Sequence, residues 1–185
     1  MRTEELDRLL FPMAPGCMWI KKLNEMDVSL DYVSWLNDPE VTQYLECRHQ
    51  KHTLESTRSY IRNLTPSYML FGVYLEYEMI GTCSLNAIDR VNGNAYIGLM
   101  IGRKDLWGNG YGTKTINLVT DYAFKRLHLH KVSAAVYSVN PASIKAFEKA
   151  GFTCSGYLSE NNIYNGRYIN AALYEKLNRT GEVLN

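Results

Sequence analysis

Between Trp107 and Thr113 three glycines alternate with larger residues, Trp107-Gly108-Asn109-Gly110-Tyr111-Gly112-Thr113, just ahead of an amphipathic helical pattern. A helix that begins at such a turn presents unpaired backbone N–H groups and the positive end of its dipole, a setting for phosphate oxygens. Glycine lets the anion approach the backbone closely. The spacing separates this loop from two better-known ones. Gly108-x-Gly110-x-Gly112 is one residue short of the G-x-G-x-x-G turn, and no acid ending a second strand follows it. A Walker loop needs G-K-[ST], whereas Gly112 is followed by Thr113 before Lys114. A dinucleotide fold and an NTPase are both disfavoured. Taken alone, the glycines fit an unliganded turn as well as a phosphate cradle.

The context of the loop is more specific. After one further strand comes Asn140-Pro141-Ala142-Ser143-Ile144-Lys145-Ala146-Phe147-Glu148-Lys149-Ala150-Gly151-Phe152. With this helix following the glycine loop, the sequence resembles the GNAT acetyltransferase family, in particular the branch similar to ribosomal-protein alanine acetyltransferases of the RimJ and RimL kind. The resemblance covers about residues 17 to 177 and is most specific over 95 to 158. It implies acetyl-CoA as cofactor, with its pyrophosphate gripped by the loop Trp107, Gly108, Asn109, Gly110, Tyr111, Gly112 and Thr113. Trp107 stands where the family pattern has Gln or Arg, a change that matters little for binding by backbone N–H groups. The resemblance also lays Met100, Ile101 and Gly102 along the pantetheine arm and turns Asn140 and Ser143 toward the cofactor. Strand core for the first three and helix capping for the other two are the plainer roles.

Acetyl transfer from a thioester to an amine needs a deprotonated amine, a stabilised oxyanion and a leaving thiol. A lysine-like amine, with a pKa of about 10.4, is mostly protonated at neutral pH, so a base or a water chain is required. Many family members protonate the thiolate with a tyrosine on the Asn-containing helix, but here that position is Phe147. Ser143, one turn earlier, is able to hydrogen-bond the sulfur instead, or to cap its own helix. The acid often found at the start of the fourth strand is replaced by Tyr96. The base therefore has several candidates. In the family the connection between the first two helices borders the acceptor cleft, and here residues 44 to 56 are dense in titratable groups. His49 can accept a proton near neutral pH, and Glu46 can do so or bind the substrate amine. An exposed polar loop is the commoner role for any one of them. Ser143, Glu46, His49 and Tyr96 are thus the catalytic candidates. The stretch from Trp35 to Ser56 is also similar to acetyltransferases acting on amino-sugar nucleotides, which makes such an acceptor slightly preferred over a ribosomal-protein or other protein amine. The absence of Tyr at 147 and of an acid at 96 keeps a non-catalytic acyl-CoA-binding module as the competing class. No cysteine sits in a nucleophile context, so direct attack is expected.

These residues need elements to hold them. Pro12, Ala14, Pro15 and Gly16 break regular structure before a first strand begins at Cys17. A helix runs from Asp27 to the Asn37-Asp38-Pro39 stop, and a loop follows. Thr53 caps a second helix with Leu54, Ile61 and Leu64 inward. Met69 to Leu75, Met79 to Ala87 and Ala95 to Ile101 read as an antiparallel meander, with Asn92-Gly93-Asn94 as a turn. Ile116, Val119, Ala123 and Leu127 give the helix after the glycine loop its buried face. His130 to Val139 is a strand, Asn140-Pro141 opens a short helix that Gly151 closes, and Phe152 to Leu158 and Tyr168 to Leu177 complete the sheet. The fold class expected is α/β (α+β), a mixed, mostly antiparallel central sheet of about seven strands flanked by four helices. By resemblance it is a GNAT fold splayed where Ala95 to Ile101 meets His130 to Val139. One domain, 17–177, lies between an N-terminal extension, 1–16, and a tail, 178–185.

Bulk properties narrow the partners. The 185 residues suit one domain. A net charge of +1 offers no field for nucleic acid or anionic lipid, so a small-molecule amine or a peptide amine is the expected partner. No apolar run approaches the roughly 20 residues that span a bilayer, and the N-terminus lacks a signal-peptide core. A cytoplasmic location is expected, and a homodimer stays open. Cys17, Cys47, Cys83 and Cys154 are scattered and read as reduced thiols. His49 and His52 lie beside Arg48 and Lys51, which oppose a bound cation, so no metal is expected.

Overall fold

Seven strands join in one sheet in the order β1-β2-β3-β4-β5-β7-β6, and the computed structural model describes residues 16–179. The expected N-terminal extension, apart from Gly16, and the tail after Arg179 lie outside the described residues. β1 (Met18–Lys22), β2 (Met69–Leu75), β3 (Glu78–Asp89) and β4 (Asn94–Ile101) form an antiparallel run. Its last turn is made as the polar residues dictate: Asp89 Oδ1 accepts from the N–H groups of Val91 and Asn92, and Gly93 takes φ +65°.

Helices cover both faces of the sheet. On one, α4 (Tyr111–Lys125) buries Ile116, Val119 and Ala123, a 3-4 spacing that sets them against Phe71, Val73 and Leu85. Each such Val or Ile contributes roughly 1.5–3 kcal/mol by burial. On the other, α1 (Leu30–Asn37) and α3 (Leu54–Arg62) close over Leu23, Leu70 and Met100 with Tyr32 and Ile61. Thr53 and Ser56 cap α3 reciprocally, each side chain accepting from the other's N–H.

Two features differ from the sequence expectation. The loop expected after Pro39 opens with a short helix, α2 (Pro39–Thr42), which with α5 (Pro141–Lys149) makes five α-helices among the described residues rather than four. The cause is Asp38: it ends α1 ahead of Pro39 and also caps α2, its Oδ1 accepting from the N–H groups of Glu40 and Val41. β6 (Thr153–Tyr164) runs further than expected, past Leu158, while β7 (Arg167–Leu177) matches its expected extent to within one residue. Asn165 and Gly166, both at positive φ, form the two-residue turn that an Asn-Gly pair favours. Register shifts within β6, between Leu158 and Asn162, include Glu160 at φ +49° and bend the hairpin tip.

β5 (Lys131–Tyr137) lies parallel to β4 but pairs with it only from Asn94 to Tyr96 against Lys131 to Ser133. Beyond that point β5 continues on β7, to the pair Tyr137 and Ala171, while Ile97 to Ile101 keep β3 alone as sheet neighbour. The sheet therefore opens between the second halves of β4 and β5.

Candidate active site

The glycine loop closes one side of this opening. Gly108 and Gly110 sit at φ +80° and +81°, a conformation L side chains rarely adopt, and a Cβ on either would project into open space. Gly110 is the N-cap of α4. No side chain caps that helix end and its first turn carries no acid, so its free N–H groups and dipole have no internal anion competing for them. Trp107 fastens the loop to the end of β4 by donating from Nε1 to the Ile101 carbonyl at 2.8 Å. Gly112 has another role: a Cβ there would meet Leu99 at 3.6 Å and Ala146 at 3.8 Å, where α4 approaches β4 and α5.

Across the opening, Asn140 caps α5 by accepting from the Ser143 N–H at 3.1 Å, with Pro141 at the first helical position. Asn140 supplies this cap, and the Ser143 hydroxyl makes no hydrogen bond among the described residues. The resulting cleft, of about 570 Å³, runs from the glycine loop between the walls Leu99–Ile101 and Asn140–Ala146, with Lys145 and Lys149 at its edge. Free N–H groups at one end, apolar walls along its length and two ammonium groups fit an anionic diphosphate carrying an extended arm.

A second cavity of about 520 Å³ lies on the α1/α3 side and shares Leu45, Leu99 and Met100 with the first. Its wall includes seven hydroxyl side chains, from Tyr32, Ser56, Thr57, Tyr60, Tyr68, Thr82 and Ser84. Among the described residues Glu46 is its only carboxylate and Lys51 its only ammonium. Burial pushes the Tyr32 and Tyr60 phenols far up, so both remain protonated donors. Thr57 is buried, and its hydroxyl has no partner.

Two cavities meeting at a half-paired strand, one of them headed by a glycine-capped helix, give this fold a counterpart among known proteins. Residues 18–153 match the Acetyltransferase (GNAT) domain. The chain belongs to the GNAT acetyltransferases. An uncharacterized N-acetyltransferase of Bacillus licheniformis, p20, is 32% identical over 165 residues, covering 85% of this chain and 90% of that protein. The spermidine N(1)-acetyltransferase of Vibrio cholerae is 33% identical over 91 residues, 49% of this chain and 52% of that one. Among solved structures, RimL, a ribosomal L7/L12 alpha-N-protein acetyltransferase in complex with coenzyme A, matches with a TM-score of 0.79 at 22% identity, over 90% of this chain and 96% of that one. The Vibrio cholerae spermidine N-acetyltransferase bound to CoA and spermine matches with a TM-score of 0.77 at 22% identity, over 86% and 95%. The protein is thus an acetyl-CoA-dependent N-acetyltransferase, and the GNAT fold expected from the sequence is the one observed.

Of the cofactor residues expected, Met100, Ile101, Trp107, Gly108, Gly110, Tyr111, Gly112, Thr113, Asn140 and Ser143 line the first cleft. Gly102 and Asn109 do not. Gly102 is pressed against Trp35 and donates its N–H to the Ile80 carbonyl, and the Asn109 side chain points back to the Trp107 carbonyl. Of the catalytic candidates, Ser143 and Glu46 line the first and second cavities. His49 is brought to neither, its ring 3.9 Å from Glu46 with the side chain 61% exposed. Tyr96 lies on the part of β4 that β5 still covers, outside both cavities. Phe147 is buried against Phe152 and Tyr174. Sequence reasoning missed the groups around Glu46: Tyr137, whose hydroxyl donates to its carboxylate, Asn162 at 3.2 Å, and Arg48 at 3.8 Å.

Proposed function

We propose that the acceptor is a single primary amine on a compact, hydroxyl-bearing ring whose part inside the cavity carries no other charge, with the sugar of an amino-sugar nucleotide as the favoured instance. The observation that carries this is the second cavity: seven hydroxyl side chains against one carboxylate and one ammonium. A polyamine would bring several positive charges to a wall with one negative group, and desolvated charge without a partner is costly. A neutral ring of hydroxyls finds donors and acceptors throughout. Lys51, exposed at the rim, supplies a positive charge suited to the phosphates of a nucleotide outside the cavity.

Acetyl-CoA supplies the thioester; the chain's residues hold and deprotonate the amine. The acceptor ammonium gives a proton to the Glu46 carboxylate, and the neutral nitrogen attacks the carbonyl carbon. Backbone N–H groups of the unpaired edge of β4 receive the charge that develops on the carbonyl oxygen. The C–S bond then breaks, the nitrogen loses its second proton to the departing sulfur, and the Ser143 hydroxyl hydrogen-bonds that sulfur. Amide and CoA thiol leave, and the proton on Glu46 returns to water. The two thiols in the cavity wall, Cys47 and Cys83, are both pushed up by burial, which disfavours the thiolate that an acetyl-cysteine route requires.

The test is thiol release from acetyl-CoA against amino-sugar nucleotides, free amino sugars, spermidine and a peptide N-terminus. Turnover should be fastest with the hydroxylated monoamines and fall about a hundredfold or more in Glu46→Gln. Preference for spermidine or the peptide would overturn the acceptor reading, and an unimpaired E46Q enzyme would remove Glu46 as the proton acceptor.

A further inference from the structure

Glu46 begins a single turn of 3₁₀ helix (Glu46–His49) on the connection between α2 and α3, and its own side chain is largely exposed. An exposed carboxylate on a short connection samples several rotamers unless something holds it. Here three elements converge on it. From the end of β5 the Tyr137 hydroxyl donates to Oε1, and from the β6–β7 tip Asn162 Nδ2 donates to the same oxygen at 3.2 Å. From its own turn, Arg48 Nη1 lies 3.8 Å away.

Arg48 is the knot of this arrangement, with a side chain only 17% exposed. Its Nη1 donates to the Leu45 carbonyl at 2.7 Å and to the Tyr137 oxygen at 3.0 Å, and its Nη2 donates to the Ile163 carbonyl at 2.8 Å. The guanidinium also lies over the Tyr137 ring, 5.4 Å from the centroid. One planar fork thus joins the connection, β5 and the hairpin tip. Next to it Tyr44 stacks on Tyr164 at 5.3 Å and meets Tyr137 edge-on at 6.1 Å. The bend at Glu160 brings this tip within reach. Burial, and then the bond to Glu46, push the Tyr137 phenol up, so it remains a donor.

We infer that Arg48, Tyr137 and the β6–β7 tip form a clamp that fixes the direction of the Glu46 carboxylate, so that residues with no access to the cofactor cleft set the rate of acceptor deprotonation. Arg48, Tyr137 and Asn162 are positioning residues: they act through Glu46. This inference rests on Glu46 being the proton acceptor.

The test is a double-mutant cycle between Tyr137→Phe and Glu46→Gln, read as kcat and as the KM of each substrate. The phenylalanine keeps the ring under Arg48 and against Tyr44, so the fold is retained, and thermal melting checks that it is. Tyr137→Phe should lower kcat about tenfold or more, as for loss of a hydrogen bond to a charged group, with the acetyl-CoA KM unchanged. In the Glu46→Gln background the same change should have almost no effect on kcat, because the group it positions is gone. Arg48→Lys, which cannot bridge three partners with one fork, should behave like Tyr137→Phe. If Glu46→Gln itself leaves kcat intact, the proton-acceptor reading fails and the clamp falls with it. If Glu46→Gln is slow but the effect of Tyr137→Phe persists fully on that background, or is absent in the wild type, the clamp alone is overturned.

Discussion

On the proposed reading the site has a cofactor half and an acceptor half, and the two are built from different materials. The cofactor half is made of backbone: two glycines at positive φ, an uncapped helix end and a strand edge left without a partner. The acceptor half is made of side chains, a wall of hydroxyls and one carboxylate gripped by residues from three elements. A backbone site tolerates changes of side chain but not of dihedral angle. A side-chain site has the reverse sensitivity, and that contrast gives the largest expected effect. Gly110→Val places a β-branched residue at φ +81°, a conformation that L side chains rarely adopt, at the head of the cleft. The acetyl-CoA KM should rise roughly tenfold to a hundredfold, while the acceptor KM stays within error. Gly112→Ala, two residues on, is the control. Its Cβ would meet neighbours at ordinary contact distances of 3.6 and 3.8 Å, so the KM should hold and helix propensity should add about 0.5–1 kcal/mol of stability. Equal effects of the two changes on acetyl-CoA would abolish the distinction between the halves.

The same contrast decides what could be read from the sequence. Backbone needs are local, and glycine announces them: the loop, the N-cap at Asn140, the left-handed cap at Gly151 and the alternation of β2 to β4 each rest on residues close together in the chain. Asp38 shows a local signal read only halfway, because a residue that stops one helix can start the next. Asn165-Gly166 is an equally local hairpin signal, and it is what carries β6 past Leu158. The clamp is of another kind. Glu46 meets Tyr137 across 91 positions and Asn162 across 116, and no local pattern relates them. His49 and Tyr96 illustrate the converse. Each has chemistry suited to a base, yet one side chain points to solvent and the other, also exposed, sits where β5 still pairs with β4, away from both cavities. Residue type could not decide which carboxylate or imidazole faces the cavity; the direction of a short 3₁₀ turn decides it.

The halves meet at Gly102, and an intermediate effect is expected there. The family resemblance implies a contact with the pantetheine arm there, but the Trp35 ring of α1 occupies that side, and a Cβ would lie 2.0 Å from it. Gly102→Ala must therefore displace Trp35 or the strand end, at a cost of about 1–3 kcal/mol in a urea unfolding experiment. Because α1 belongs to the acceptor half and β4 to the cofactor half, both KM values should rise together. A change in the acetyl-CoA KM alone would mean that the residue belongs to the cofactor half after all.

The smallest effect concerns a charged tie between the halves. Lys104, in the turn that leads to the glycine loop, reaches Asp38 and Glu40 at 2.9 Å each, and Asp38 is also the cap of α2. The hydrogen bond from Lys104 is the main cause holding the Asp38 carboxyl below its ordinary value; partial burial opposes it, and the N–H groups of Glu40 and Val41 add to it. A carboxyl depressed in the folded state binds its proton more readily when unfolded. Its contribution to stability is therefore complete above the unfolded value of about 3.9 and is lost as the pH falls through the folded one. Asp38→Asn keeps the cap, since asparagine serves as well as aspartate there, and removes only the charge. Between neutral pH and about pH 3 the wild type should lose slightly more stability in urea than this variant, since other carboxylates titrate equally in both. The difference is small because the pair is partly exposed and screened by water. Parallel losses in the two proteins would show that the cap, not the ion pair, is what Asp38 contributes, and that the halves are joined by packing at Trp35 and Gly102 rather than by charge.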